Sequence, residues 1–184
     1  MDSSQRFYGA ASALSILVLI IAAWYVFLPN FILNFERLSA AHPYVIFTPW
    51  DLPFFVGTPL LLSLVLGVAV RLFNKASDKF VRHIVKFALV FVVLTIITRV
   101  GYGFVGVHYL ETKEYSRCWH LSSPSTFAGS VWVRHPEYCI DSSGPLRKPL
   151  LRWMDGQAQS GKPINATALR KQLLRLEQEL VSAE

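Results

Sequence analysis

Apolar residues gather in three long runs, 7–28, 52–70 and 87–110, with the polar residues between and after them. A helix needs about 20 apolar residues to cross roughly 30 Å of hydrocarbon, and each run is long enough. The first two contain no charge; the third contains Arg99 and, near its end, His108. The pattern predicts three transmembrane helices. The first run is longer than the apolar part of a secretory leader, carries only Arg6 before it and has no A-x-A site after it. It reads as a retained helix.

The pattern changes after Leu110. Ser130-Val131-Trp132-Val133-Arg134 predicts one short strand that ends before Pro136. Leu150, Leu151, Trp153 and Met154 supply the apolar positions of a helix from Leu146 to about Gln157. The Gly161-Lys162-Pro163 turn follows it. Asn165 is a fitting N-cap for a last helix, in which Leu169, Leu173, Leu176 and Leu180 form an apolar stripe. That stripe must pack on the preceding helix, on the rest of the segment, or on a partner; it marks a candidate partner helix. The expected fold class is an all-α membrane protein. Three transmembrane helices precede a small extracytoplasmic segment, 111–184, with one disulfide loop, a short strand and two C-terminal helices.

Lys and Arg set the orientation. Loop 71–86 carries Arg71, Lys75, Lys79, Arg82 and Lys86 against one acid, Asp78, whereas loop 29–51 has Arg37 as its single base. The basic loop is expected in the cytoplasm, with the N-terminus inside and both loop 29–51 and the C-terminal segment outside. Trp24, Tyr25, Tyr44, Trp50 and Tyr109 fall near the outer ends of the runs, where aromatic side chains anchor helices. Lys75, Lys79, Arg82 and Lys86 share one face at helical spacing, and Asp78 can pair with Arg82. Two readings fit: a short amphipathic helix with its cations on anionic lipid, or topology charges that stay in water.

The two cysteines, Cys118 and Cys139, both lie in the segment placed outside, where a disulfide persists. It would close a loop of about 22 residues, worth ~3 kcal/mol by chain entropy. Cys118, His120, His135 and Cys139 could instead hold zinc. The tight C-x-H spacing and Pro136 count against this, and no metal is expected.

Arg99 lies deep in the third run, where a charge costs several kcal/mol and needs a reason to stay. Three roles are open. It can pair inside the bundle, with Asp51 as the one acid near a span. It can snorkel to the interface. It can line a transport path. The first is favoured, since no second acid in the spans supports a relay. Gly101-Tyr102-Gly103-Phe104-Val105-Gly106 matches G-x-G-x-x-G, but inside a membrane helix it lacks the βαβ context of a dinucleotide site. Thr98-Arg99-Val100-Gly101-Tyr102-Gly103 has the look of a potassium filter with an arginine inserted. The loop and following span of a filter are missing. These glycines are expected to let helices approach closely.

Composition adds limits. The 184 residues are 53% hydrophobic with a net charge of +6. Segment 111–184 has ten bases and eight acids, so no nucleic-acid partner is implied. No nucleophile–base, zincin or Walker motif appears, and no cofactor is expected. Asn165-Ala166-Thr167 matches a glycosylation acceptor.

Three runs, a basic inner loop and an outer Cys…Trp-Val…His-Pro-Glu-Tyr-Cys stretch give a chain that resembles small bacterial inner-membrane proteins of uncharacterised families. In size and layout it is similar to polytopic toxin-immunity proteins. The resemblance implies a non-enzymatic protein that binds a toxin in the membrane or periplasm. An accessory subunit of an envelope complex and a small transporter or channel subunit using Arg99 are the alternatives.

Overall fold

The computed structural model describes residues 3–72, 77–125, 128–141 and 144–182. In chain order the elements are α1 (Ser3–Ser39), β1 (Tyr44–Phe47), α2 (Asp51–Leu72), α3 (Asp78–Thr112), β2 (Ser116–Cys118), β3 (Ser130–Val133), α4 (Arg147–Gln159) and α5 (Ala166–Val181). Two short 3-10 turns, Pro136–Tyr138 and Gly144–Leu146, precede α4. Three helices are long and apolar enough to cross a membrane, over Phe7–Ser39, Asp51–Val70 and Asp78–Thr112. At 1.5 Å per residue the span on α2 is ~30 Å long, and those on α1 and α3 are ~50 Å. Contacts divide the chain into two compact units.

The first unit comprises the described residues of Met1–Ile32 and Pro49–Phe104. Phe27 stacks on Phe54, Trp24 and Phe31 meet Phe55 edge-on, and Trp24 Nε1 donates to Thr58 Oγ1 at 3.1 Å. Near the other end of α2, Leu72 lies against Gly9. Later residues of α1 thus meet earlier residues of α2, so the two run antiparallel. Gly57 faces Thr95 and Gly67 faces Ile84, which gives α2 and α3 the same relation. Small residues at these crossings admit close approach where apolar burial alone offers no driving force. The outward faces carry Leu19, Ile21, Tyr25, Leu89, Ile96 and Ile97, all well exposed. So much unburied apolar surface is foreign to a water-soluble domain.

The second unit comprises Leu33–Thr48 and the described residues of Val105–Glu184. Its centre is a three-stranded antiparallel sheet in the order β1-β3-β2. Tyr44 pairs with Val133 and Phe47 with Ser130, while Ser116 pairs with Val133 and Cys118 with Val131. The fold is therefore mostly helical without being all-α. The expected strand is the middle of a sheet, and loop 29–51 is largely the end of α1 followed by β1. Pro43-Tyr44-Val45-Ile46-Phe47 carried a strand signal of aromatic and β-branched residues, but no neighbouring partner. β2 is only three residues long and had no readable pattern.

Val131, Val133, Cys118 and Leu121 are fully buried in one core with Leu150, Met154 and Leu169. α4 and α5 close over it as a helical hairpin. Gly161, at φ +64°, ends α4 in a Schellman turn: Lys162 N–H donates to Gln157 O and Gly161 N–H to Ala158 O. Asn165 caps α5, its Oδ1 accepting from Ala168 N–H at 2.7 Å.

Candidate functional site

Two polar constellations stand out, one in each unit. In the first unit Arg99 is half-buried on α3. Its Cζ lies 4.6 Å from the centroid of the Trp50 ring, just before α2. Gly103, one turn further along α3, lies beside the guanidinium; a Cβ there would stand 3.3 Å from Nη1. The side chain therefore leans toward the C-terminal end of its helix. Among the described residues no ion pair joins Arg99 to Asp51, which is buried at the start of α2. A ring face attracts a cation without placing a second charge in the apolar layer.

The glycine string around Arg99 serves different ends from those expected. Gly101 has open space beside it, Gly103 gives room to Arg99, and Gly106 receives the edge of the Phe47 ring from β1. None of the three marks a helix–helix crossing; Gly57 and Gly67 do that.

In the second unit an unpredicted cluster forms around Asp155 of α4. Arg37 Nη2, from the end of α1, donates to both carboxylate oxygens at 3.0 and 2.8 Å. Tyr44 Oη donates to Oδ2 at 2.8 Å, and His42 Nε2 lies 3.5 Å from Oδ1. The Arg37 guanidinium also covers the Tyr44 ring at 4.7 Å. Burial holds the Tyr44 phenol above its ordinary range. Burial also lowers the His42 pKa, opposed by the Tyr44 carbonyl and the Asp155 carboxylate and assisted by Arg37. The cluster ties α1, β1 and α4 together within this unit. Arg37 stood out in the sequence only as the lone base of its loop; nothing local linked it to Asp155.

Cys118 and Cys139 form the expected disulfide, tying β2 to the residue after the first 3-10 turn. Both sulfurs are thereby removed from any zinc site. Among the described residues no group of three or more His, Cys, Asp or Glu could hold a metal. His120 Nδ1 instead lies 3.2 Å from Asp141 Oδ1 on the surface.

Lys79, Arg82 and Lys86 are exposed on the first turns of α3, not on a separate helix. Arg82 Nε reaches the Asp78 backbone carbonyl at 3.4 Å rather than its carboxylate. Lys75 lies outside the described residues. Leu169 and Leu173 are buried in the unit's own core and Leu176 packs against it, whereas Leu180 is exposed. Most of the α5 stripe is thus occupied by the chain itself. Tyr44 is buried, so it leaves the proposed aromatic belt.

Fold and site together define a helical protein with three helices able to cross a membrane, and a small disulfide-linked α+β unit. The family model described as "Protein of unknown function (DUF1240)" matches residues 45–140, more than half of the chain, and the chain belongs to that family. The match runs from within β1 to just beyond Cys139 and takes in Trp50, Asp51 and Arg99. No curated protein and no solved structure matches.

Proposed function

We propose that this chain is a multi-pass inner-membrane protein that acts by binding another protein, and that the partner is a toxin against which it protects the cell. In this reading the bases of loop 71–86 keep that side in the cytoplasm, together with the N-terminus. The disulfide-linked unit lies in the periplasm, where its bond is stable.

One observation carries the binding role. Trp119, directly after edge strand β2, is 68% exposed, and Arg117 Cζ sits 3.6 Å from the centroid of its ring. Tryptophan and arginine dominate the energetics of protein interfaces, and an indole held by a cation is already ordered for docking. Deletion of the gene should leave cells sensitive to toxin-producing siblings. Wild-type chain should restore survival, and Trp119→Ala at equal membrane abundance should not. Unchanged survival of the deletion strain would rule out protection. A periplasmic reporter fused after residue 184 should be active; an inactive one would reverse the orientation.

A second reading, an accessory subunit of an envelope complex, is favoured by the end of α5. Leu180 and Val181 are both exposed there, beyond Leu176, the last leucine of the stripe that packs against the core. A mild-detergent pull-down that returns this chain alone would remove that reading.

A further inference from the structure

A cleft of about 180 Å³ opens in the second unit beside the residues that follow β3. Arg134, His135 and Lys162 line it, and no carboxylate is among its described lining residues. The other lining residues are apolar apart from the Tyr138 hydroxyl: Ala41, Pro43, Ala158, Ile164 and the ring of Tyr138. The volume equals about six waters, well below the ~300 Å³ at which drug-sized sites begin.

Arg134, His135 and Lys162 are all solvent-exposed, and the first two have side-chain contacts that orient them. Arg134 Nη1 donates to Ala41 O at 2.9 Å, which leaves the rest of its donor fork for other acceptors. The His135 ring meets Tyr138 edge-on with centroids 5.1 Å apart. Tyr138 Oη donates to Ile164 O at 2.8 Å, so its ring is fixed as a wall. Lys162 follows Gly161 in the Schellman turn; its N–H bond to Gln157 O fixes the backbone at the cleft, and its side chain is exposed. Asp155, one turn before Ala158 on α4, is the nearest acid along that helix, and Arg37 and Tyr44 already engage its carboxylate. Glu137, between His135 and Tyr138 in the chain, is close enough to act on the Tyr138 phenol but is not among the lining residues.

We propose that this cleft binds a small organic anion, a single carboxylate or phosphate group carried on an apolar body. The anionic group lies between Arg134 and Lys162, where charge-assisted hydrogen bonds are strongest. The apolar body lies against Pro43, Ile164 and the Tyr138 ring. This assignment is independent of the protective role.

The test uses the full chain in detergent micelles, with 4-fluorobenzoate as probe and fluorine NMR as readout. Saturable broadening is expected, displaced by unlabelled benzoate and by phenyl phosphate alike. Arg134→Gln and Lys162→Gln should each weaken binding about tenfold. Lys171→Gln, an exposed base on α5, should leave it unchanged. Arg134→Gln also removes the bond to Ala41, so Lys162→Gln decides the matter if that variant fails to fold. Non-saturable binding, equal weakening by Lys171→Gln, or displacement by neutral cyclohexanol as effective as by benzoate would overturn the assignment. Inorganic phosphate displacing the probe as well as benzoate does would overturn the need for an apolar body.

Discussion

Arg99 and Trp50 form a cation–π pair, with Cζ 4.6 Å from the ring centroid, inside the unit that holds most of the apolar helices. A buried cation is tolerable when it has a partner and costly when it has none. Trp50→Leu removes the partner and keeps the charge. Arg99→Leu removes both the attraction and the charge. Thermal unfolding in detergent should therefore show Trp50→Leu as the more destabilising of the two, by about 0.5–2 kcal/mol. The double variant should be more stable than Trp50→Leu alone. An Arg99→Leu protein less stable than Trp50→Leu would contradict the pairing.

Phe47 and Gly106 pack so closely that a methyl group on Gly106 would overlap the Phe47 ring. Overpacking of this kind costs about 1–3 kcal/mol. Gly106→Ala should lower the melting temperature. Phe47→Leu, harmful in the wild-type background, should recover part of that loss in the Gly106→Ala background. Equal losses with no recovery in the double variant would show that the two residues act separately.

The Asp155 cluster predicts a pH response with a definite sign. His42 has a pKa below its ordinary 6.5 in the folded chain, chiefly through burial. The unfolded chain therefore takes up a proton first as pH falls. Stability should drop from about pH 6.5 downward and level off below the folded pKa. Arg37 and Asp155 face the ring, with Tyr44 beside it. His42→Asn should flatten the curve below about pH 6.5. A melting temperature with the same pH slope in wild type and variant would refute the assignment.

Asp155→Asn should act differently. Arg37 and Asp155 are only 13% and 25% exposed, so loss of the carboxylate leaves a mostly buried cation without its counter-charge. A cost of about 1–3 kcal/mol is expected at neutral pH. Arg37→Met in the Asp155→Asn background should restore part of it. Chemical denaturation followed by Trp132 and Trp153 fluorescence reports on this unit.

The Cys118–Cys139 bond closes a loop over a sequence separation of 21 residues. Its removal by Cys118→Ser with Cys139→Ser should cost about 3 kcal/mol. Reductant should destabilise wild-type protein and leave the double variant unaffected. A double variant as stable as the oxidised chain would contradict this.

Local signals were legible where neighbours in the chain carry the physics. Runs of apolar residues at 52–70 and 87–110 announced α2 and the body of α3. Asn165 announced the start of α5, because a cap is satisfied within three residues. The disulfide followed from there being two cysteines in one segment. The helices nonetheless run beyond the apolar runs. α1 continues to Ser39 and α3 begins at Asp78, since polar residues such as Glu36 and Lys79 suit a helix even where they do not suit lipid. That is why the basic stretch read as a loop, with a separate short helix or wet topology charges as its two readings.

Partners far apart in the chain were not legible. Tyr44–Phe47 had strand propensity, but a strand needs a neighbour, and its neighbour is Ser130–Val133. Arg37 and Asp155 are separated by 118 residues, and Tyr44 and Asp155 by 111. Hydropathy and charge along the chain, taken alone, determined three apolar helices, a basic stretch between the second and third, and a disulfide-bearing tail. Only the tertiary structure decided that loop 29–51 contributes a strand, that Leu169 and Leu173 of α5 face their own core, and that Arg99 meets an indole instead of a carboxylate. Burial periodicity is a property of consecutive residues. Strand pairing and ion pairing depend on which distant segments the folded chain brings together.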